Sequence, residues 1–322
     1  MSSNIKILIA DKVHPLLVEG LKKENWDVDY KPDILLNDVR RIIHEYTAIV
    51  INTKTKMNAD MLEKAVLLKC ISRLGSGLDI IDLETAKRKN IAVFRSPEGN
   101  CNAVAEHAVG MLLSLINHLG RANLEMRNFE WHREKNRGVE LSGKTIGIIG
   151  FGHTGSSFAK KLSCWDVNLI AYDKYKEQFG DSFGFVKTVS LEEIKKEADI
   201  ISFHVPLTDE TLFMLNEEFI DSCKKRPIII NTSRGKVVHT ESLIKGLRTK
   251  QIKGACLDVI ENEKTESYTE EEYKMYEKLH QFENVVLSPH VAGWTVESFK
   301  KIAEVTLNRM KIYLKEEFKK FN

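Results

Sequence analysis

The sequence predicts an α/β protein of two doubly wound domains. Three observations carry this: two successive series of short strand-like runs alternating with helix-like stretches, a glycine turn at the head of the second series, and 322 residues, enough for two separate cores. In the first series the strand candidates are 5–10 (IKILIA), 26–30 (WDVDY), 48–52 (AIVIN), 68–73 (LKCISR) and 91–95 (IAVFR). Helix-like stretches at 14–23, 35–44, 58–66 and 82–89 separate them, which predicts a parallel sheet with helices on both faces. The segment from Ala103 to Asn128 follows, apolar on most of its circumference through residues such as Val104, Met111, Leu112, Leu115 and Leu119. It predicts one long helix buried on several sides, against its own domain or a second subunit.

The second series runs through 144–152 (KTIGIIGFG), 168–173 (NLIAYD), 199–206 (DIISFHVP), 227–233 (PIIINTS), 254–259 (GACLDV) and 284–289 (NVVLSP). Runs this short and this rich in β-branched residues predict strands buried on both faces. The acidic stretch 261–278 reads as a loop followed by an exposed helix, and 296–318 as a last helix returning to the first domain. The expected domains are therefore 1–100 with 292–322, and 101–291.

Composition narrows the function. Lys and Arg number 48 against 46 Asp and Glu, for a net charge of +2, and the charges are spread along the chain. No stripe for a polyanion results, so nucleic acid is not an expected partner. Clusters such as Lys87-Arg88-Lys89 and Lys224-Lys225-Arg226 read as solvated helix ends or loops. The five cysteines (Cys70, Cys101, Cys164, Cys223, Cys256) form no C-x-x-C pair, and the odd number argues against a disulfide framework, which fits a reducing cytoplasm. No run of about 18 uncharged apolar residues is present, and the first apolar run is too short for a signal peptide, so no membrane association is expected. No metal-ligand pattern stands out either.

Gly150-Phe151-Gly152-His153-Thr154-Gly155 directly follows a predicted strand and opens a helix-like run. In that context a G-x-G-x-x-G turn lets the backbone approach a pyrophosphate, whose charge meets the N–H groups at the helix start. Asp173 ends the next strand, at the spacing where a carboxylate accepts from both ribose hydroxyls and repels a 2′-phosphate. The expected cofactor is therefore NAD rather than NADP, with Lys174 beside Asp173 as the feature that relaxes the preference. Since ligands of doubly wound sheets bind beyond the carboxyl ends of strands, the cleft between the two domains is the expected site.

At those strand ends lie His204-Val205-Pro206, Thr232-Ser233-Arg234, Asp258 through Glu263, and Ser288-Pro289-His290. A 2-oxo acid needs a bidentate cation for its carboxylate, which the Arg234 guanidinium supplies while polarising the neighbouring carbonyl. Hydride reaching the carbonyl carbon must be matched by a proton on the oxygen, a task suited to an imidazole near neutral pH. His290 can carry that proton with a carboxylate to orient it, and Glu263 is the expected partner. His204, Val205, Pro206, Thr232 and Ser233 are expected to line the cofactor.

These residues and their surroundings resemble the D-isomer-specific 2-hydroxyacid dehydrogenases, and within them the D-3-phosphoglycerate dehydrogenase branch. The resemblance covers nearly the whole chain: RLGSGLDIIDL (73–83), SPEGNCNAVAEHAVGMLL (96–113), GKTIGIIGFGHTG (143–155), HVPLTDETLFMLN (204–216), INTSRGKVV (230–238), GACLDVIENE (254–263) and SPHVAGWT (288–295). It implies a flavodoxin-like substrate domain and a Rossmann NAD-binding domain that close on the substrate at hinges near residues 100 and 290. It also implies that Arg234 binds substrate, that Glu263 and His290 form the acid–base pair, and that Asp258 lies beside the nicotinamide. The Gly75-Ser76-Gly77 loop then holds the substrate carboxylate on backbone N–H groups. A homodimer through the Ala103 helix is the expected assembly, and a small 2-hydroxy acid the expected partner.

The chain departs from the family pattern twice. Lys264 stands where many members have proline after the glutamate, and an acidic insertion continues to about residue 280. The phosphoglycerate branch also shows an arginine after the third strand, where this chain has Asn52-Thr53-Lys54-Thr55-Lys56; Lys54 or Lys56 is left to meet a substrate phosphate as a point charge. With the sequence ending at Asn322, a C-terminal regulatory domain and direct serine regulation are not expected. The leading substrate is D-3-phosphoglycerate, with glyoxylate or hydroxypyruvate reduction as the alternative. A dinucleotide-sensing corepressor on the same fold is the rival from another class. Formate dehydrogenase pairs its histidine with glutamine, so Glu263 argues against it.

Overall fold

The computed structural model describes residues 5–319, and the extremes of the expected first domain, 1–4 and 320–322, lie outside the described residues. Chain contacts divide it into two compact units, residues 1–100 with 294–322, and residues 101–293.

The first unit holds five parallel strands, β1 (Lys6–Ile9), β2 (Asp27–Tyr30), β3 (Ala48–Ile51), β4 (Cys70–Arg73) and β5 (Ala92–Arg95), in the order β2-β1-β3-β4-β5. This is the flavodoxin-like order, with its switch point between β1 and β3. All four residues of β3 are buried and apolar because helices cover both faces. Leu8, Ile49 and Ile71 pack with Val39, Ile43 and Leu62 on one side. Ile7, Ile9 and Val50 pack with Leu17, Leu21, Met310 and Leu314 on the other. The last three of the unit's local helices begin at residues 36, 59 and 83, two of them behind a side-chain cap: Asn58 accepts from Met61 N–H (3.0 Å) and Asp82 from Thr85 N–H (2.8 Å). The final helix, Val296–Lys319, falls in this unit. It is seated by the buried Ser96–Thr306 hydroxyl contact (2.8 Å) and by Gly99, where an added Cβ would lie 2.7 Å from Ile302 Cα.

The second unit has seven parallel strands: β6 (Thr145–Ile149), β7 (Asn168–Tyr172), β8 (Val186–Thr188), β9 (Ile200–Phe203), β10 (Ile228–Asn231), β11 (Gly254–Leu257) and β12 (Val285–Leu287). Their order, β12-β11-β10-β9-β6-β7-β8, is the Rossmann arrangement with one strand added at an edge. β8 was not expected from the sequence: it is three residues long, lies at the edge and buries only Val186, so it carries no hydrophobic pattern.

The expected single helix from Ala103 to Asn128 is corrected by the structure. The helix begins earlier, at Pro97, where a proline's fixed φ and missing N–H suit the first turn, and it runs unbroken through residue 100 to Ile116. His118 then adopts φ +52, a left-handed conformation that no α-helix passes through, and a second helix, Leu119–Arg127, follows. Apolar periodicity cannot register such a break. The buried side belongs to the first helix (Ala105, Ala108, Leu112), whereas Leu119, Leu124 and Met126 in the second are more than half exposed. The acidic stretch forms, as expected, a short turn at Thr265–Ser267 and a largely exposed helix, Glu270–His280.

Candidate active site

β6 and β9 are adjacent at the reversal of strand order, which places Gly150 against His204. Gly150 has φ +90, and a Cβ there would sit 2.5 Å from the His204 carbonyl oxygen. A Cβ at Gly155 would lie 2.0 Å from the Gly150 oxygen, so the third glycine is what lets the helix pack onto the turn. At Gly152, by contrast, a Cβ would meet nothing within 4 Å. The helix His153–Leu162 starts there without a side-chain cap at Gly152, so the positive end of its dipole faces the glycine turn. This open approach to an uncapped helix start fits a pyrophosphate.

Asp173 is held at the end of β7 by Phe151 N–H (2.7 Å) and Tyr175 N–H (3.0 Å), one on each carboxylate oxygen. Lys174 turns aside to Glu210 (2.5 Å). The His204 imidazole accepts or donates through Nε2 to Ser202 Oγ (2.9 Å), while its Nδ1 and the Thr232 hydroxyl are buried without a hydrogen-bond partner. Burial pushes the His204 ring down to about 3, so it is neutral at physiological pH. Two orphaned polar atoms at the carboxyl ends of β9 and β10 fit a polar cofactor in front of them. Val205 Cγ1 lies near the turn, 2.9 Å from where a Cβ on Gly150 would sit, and the Pro206 carbonyl accepts from Thr211 (2.6 Å).

Arg234, Glu263 and His290 follow the three neighbouring strands β10, β11 and β12. Behind Arg234 stands the fully buried Asn231, whose amide donates to the Arg234 carbonyl (2.9 Å) and whose oxygen accepts from Ser233 N–H (3.0 Å) and Oγ (2.7 Å). The guanidinium donates to the Ser233 carbonyl (2.7 Å). His290 Nδ1 meets the Glu263 carboxylate at 2.8 Å, with both side chains nearly half exposed.

His290 has φ +54, a conformation that costs a non-glycine residue about 1–2 kcal/mol. Asp258 holds it there. The Asp258 carbonyl accepts from His290 N–H (2.7 Å), and its buried carboxylate accepts from Ser288 Oγ (2.6 Å), Val291 N–H (2.9 Å) and Ala292 N–H (2.9 Å). His107 Nε2 completes the cluster at 2.8 Å from Ser288 Oγ. Asp258, expected beside a nicotinamide, is placed by these contacts as the anchor of the histidine loop. Asn231, Ser288 and His107 were assigned no role from the sequence, and no motif reveals their contacts.

In the first unit, Gly75-Ser76-Gly77 follows β4 and Lys54 follows β3. Gly75 has φ +116, its carbonyl accepts from Ser96 N–H (2.8 Å), and Ser76 Oγ donates to Asn100 (3.0 Å). The Lys54 ammonium donates to the carbonyls of Pro32 and Ile34. Nearby, burial pushes the Asp11 carboxyl up even though it accepts from Asn52 N–H (2.6 Å).

Comparison with known proteins agrees with this architecture. Residues 109–292 match the NAD binding domain of the D-isomer specific 2-hydroxyacid dehydrogenases. The chain is 36% identical to a hydroxypyruvate reductase of Thermotoga maritima over 83% of this chain and 84% of that protein. It is 34% identical to a D-3-phosphoglycerate dehydrogenase of Synechocystis sp. over 92% of this chain and 52% of that one, so it spans about half the length of that relative. Among solved structures, D-lactate dehydrogenase from Aquifex aeolicus complexed with NAD and lactic acid superposes with a TM-score of 0.83, at 30% identity and 98% coverage of each chain. Among the described residues, no helix is long and apolar enough to cross a membrane. With its glycine turn, its two parallel sheets and these matches, the chain belongs to the D-isomer specific 2-hydroxyacid dehydrogenase family and carries that family's NAD binding domain.

Proposed function

We propose that the protein is an NAD-dependent D-2-hydroxyacid dehydrogenase, with Arg234 binding the substrate carboxylate, His290 carrying the proton and Glu263 orienting it. The 2.8 Å contact of His290 Nδ1 with Glu263 carries this reading. It leaves Nε2 as the nitrogen that exchanges a proton with the substrate oxygen, and the carboxylate stabilises the imidazolium formed in the oxidative direction. NAD(H) supplies the hydride. Arg234 polarises the carbonyl of the 2-oxo acid. Asp173 accepts from the ribose hydroxyls and repels a 2′-phosphate.

The substrate we propose is D-3-phosphoglycerate with 3-phosphohydroxypyruvate, in cytoplasmic serine biosynthesis, supported by the dehydrogenases of that name among the relatives. A second reading, reduction of a small acid such as hydroxypyruvate or glyoxylate, is favoured by Lys54, whose ammonium spends two of its three donors on backbone carbonyls. Assembly as a homodimer is supported by the exposed apolar residues Leu124, Phe129 and Trp131 at and after the second half of the broken helix. The test follows NADH consumption with 3-phosphohydroxypyruvate, hydroxypyruvate, glyoxylate and pyruvate. A preference for the phosphorylated acid of about 100-fold, equivalent to about 2.7 kcal/mol, supports the first reading; turnover of small acids alone supports the second, and no turnover of any refutes both.

A further inference from the structure

The His290–Glu263 pair is exposed, and an exposed ion pair contributes little because water screens it. That gain is smaller than the entropic cost of ordering a glutamate and the coil around it. The backbone on either side of Glu263 is hydrogen-bonded instead within the acidic stretch that follows it.

Asn262 N–H donates to the hydroxyl of Tyr276 (2.9 Å), and the Asn262 amide donates to the Glu272 carboxylate (3.1 Å). On the other side, Lys264 N–H donates to Asn262 Oδ1 (3.0 Å), and the Lys264 carbonyl accepts from Ser267 Oγ (2.8 Å). Tyr276 and Glu272 both sit on the helix Glu270–His280. Tyr276 is 2% exposed and its ring stacks on Tyr268 at 4.8 Å. Glu272 also closes the capping box with Thr269, which ties its carboxylate to the helix start.

We propose that Tyr276 and Glu272 are positioning residues for the proposed acid–base pair: the insertion is a brace that holds Asn262 and Lys264 so that Glu263 meets His290. The inference rests on the reading of Glu263 and His290 as that pair. Tyr276→Phe keeps the buried ring and removes the acceptor of Asn262 N–H. Glu272→Ala removes the second anchor from an accessible position, and Glu272→Gln restores an acceptor there.

The experiment is a double-mutant cycle read with NADH and hydroxypyruvate, joined to amide hydrogen exchange of the peptide spanning residues 261–266 in the cofactor-free protein. In Tyr276→Phe, kcat is expected to fall about 10-fold, KM for NADH to stay unchanged and exchange to rise, because a displaced catalytic group costs rate rather than cofactor affinity. In the Glu263→Gln background the same change is expected to cost less than about twofold, since coupled residues do not add. Glu272→Ala is expected to follow Tyr276→Phe, with Glu272→Gln close to wild type. An equal loss in both backgrounds, or unchanged exchange, overturns the brace. Wild-type turnover in Glu263→Gln alone overturns the acid–base reading instead, and the positioning role with it. Should hydroxypyruvate not turn over, the exchange comparison still decides whether the brace exists.

Discussion

Replacing Asp258 by asparagine tests whether the histidine loop is held from behind. The carboxylate accepts three hydrogen bonds at 2.6–2.9 Å while 2% exposed. An amide of the same shape has one oxygen, so at least one of these buried donors faces an NH2 group and loses its acceptor, at about 1–3 kcal/mol. The bonds that survive lose their charge assistance, about half their strength. Against that loss, the left-handed conformation of His290 is free to relax, recovering about 1–2 kcal/mol. The favoured outcome is a loop that leaves its native geometry rather than a domain that unfolds. Accordingly kcat is expected to fall about 100-fold, about 2.7 kcal/mol, with KM for NADH within about twofold. The melting temperature is expected to fall by less than about 5 °C, since local opening sheds the cost. Measuring steady-state kinetics beside thermal unfolding separates the alternatives. A large drop in melting temperature with unchanged kcat would make Asp258 a support of the fold alone, and no change in either would refute the anchoring argument.

His290→Gln is expected to lower turnover of an accepted 2-oxo acid by at least about 1000-fold, within the range for lost general acid–base catalysis, while NADH binding measured by fluorescence stays unchanged; wild-type turnover removes it from the mechanism. Asp173→Ala is expected to weaken NADH binding and improve NADPH binding in titrations, and unaltered NADH affinity contradicts its ribose role. His204 gives a pH signature. Its folded value of about 3 lies below the unfolded 6.5, so the unfolded chain takes the proton first as pH falls. The stability contributed by keeping this ring neutral is complete above about pH 6.5 and is lost on acidification toward pH 3. His204→Gln should flatten that part of a melting-temperature profile, and an equal acid loss in the variant excludes the histidine as its source. If the protein sediments as the proposed dimer, Phe129→Ser combined with Trp131→Ser is expected to shift it to monomer; an unchanged dimer removes this patch from the interface, and a monomeric wild type refutes the assembly.

The parts of the molecule legible in the sequence are those written in neighbouring residues. Strand-helix alternation, the Gly150 turn and Asp173 each depend on spacing within one βαβ unit, and the parallel sheets follow from it. The residues expected to act stand at strand ends, where a doubly wound sheet directs its ligands. What stayed hidden has a local or a distant cause. β8 buries one residue, and the break at His118 is a single backbone angle. The anchoring contacts link separate elements, 33 residues from Val291 to Asp258 and 14 from Asn262 to Tyr276, so the periodicity of any one element does not reveal them.

Those anchors share a pattern with a mechanistic consequence. At or beside each of the three residues proposed to act, a buried polar residue holds the backbone: Asn231 at Arg234, Tyr276 at Asn262 next to Glu263, Asp258 at His290. They are 0%, 2% and 2% exposed, whereas His290 and Glu263 are 48% and 41% exposed. A reacting group must stay accessible, and an accessible side chain gains too little from its own contacts to hold one geometry. Its precision has to come from the backbone, whose hydrogen bonds retain their strength only where water is excluded. With the roles proposed for these residues, the buried partners are expected to bear on kcat through the residues they aim, and Asp173 and the glycine turn on cofactor affinity. A variant of an anchor that weakened NADH binding as much as it slowed turnover would mean that the two halves of the site are not separable in this way.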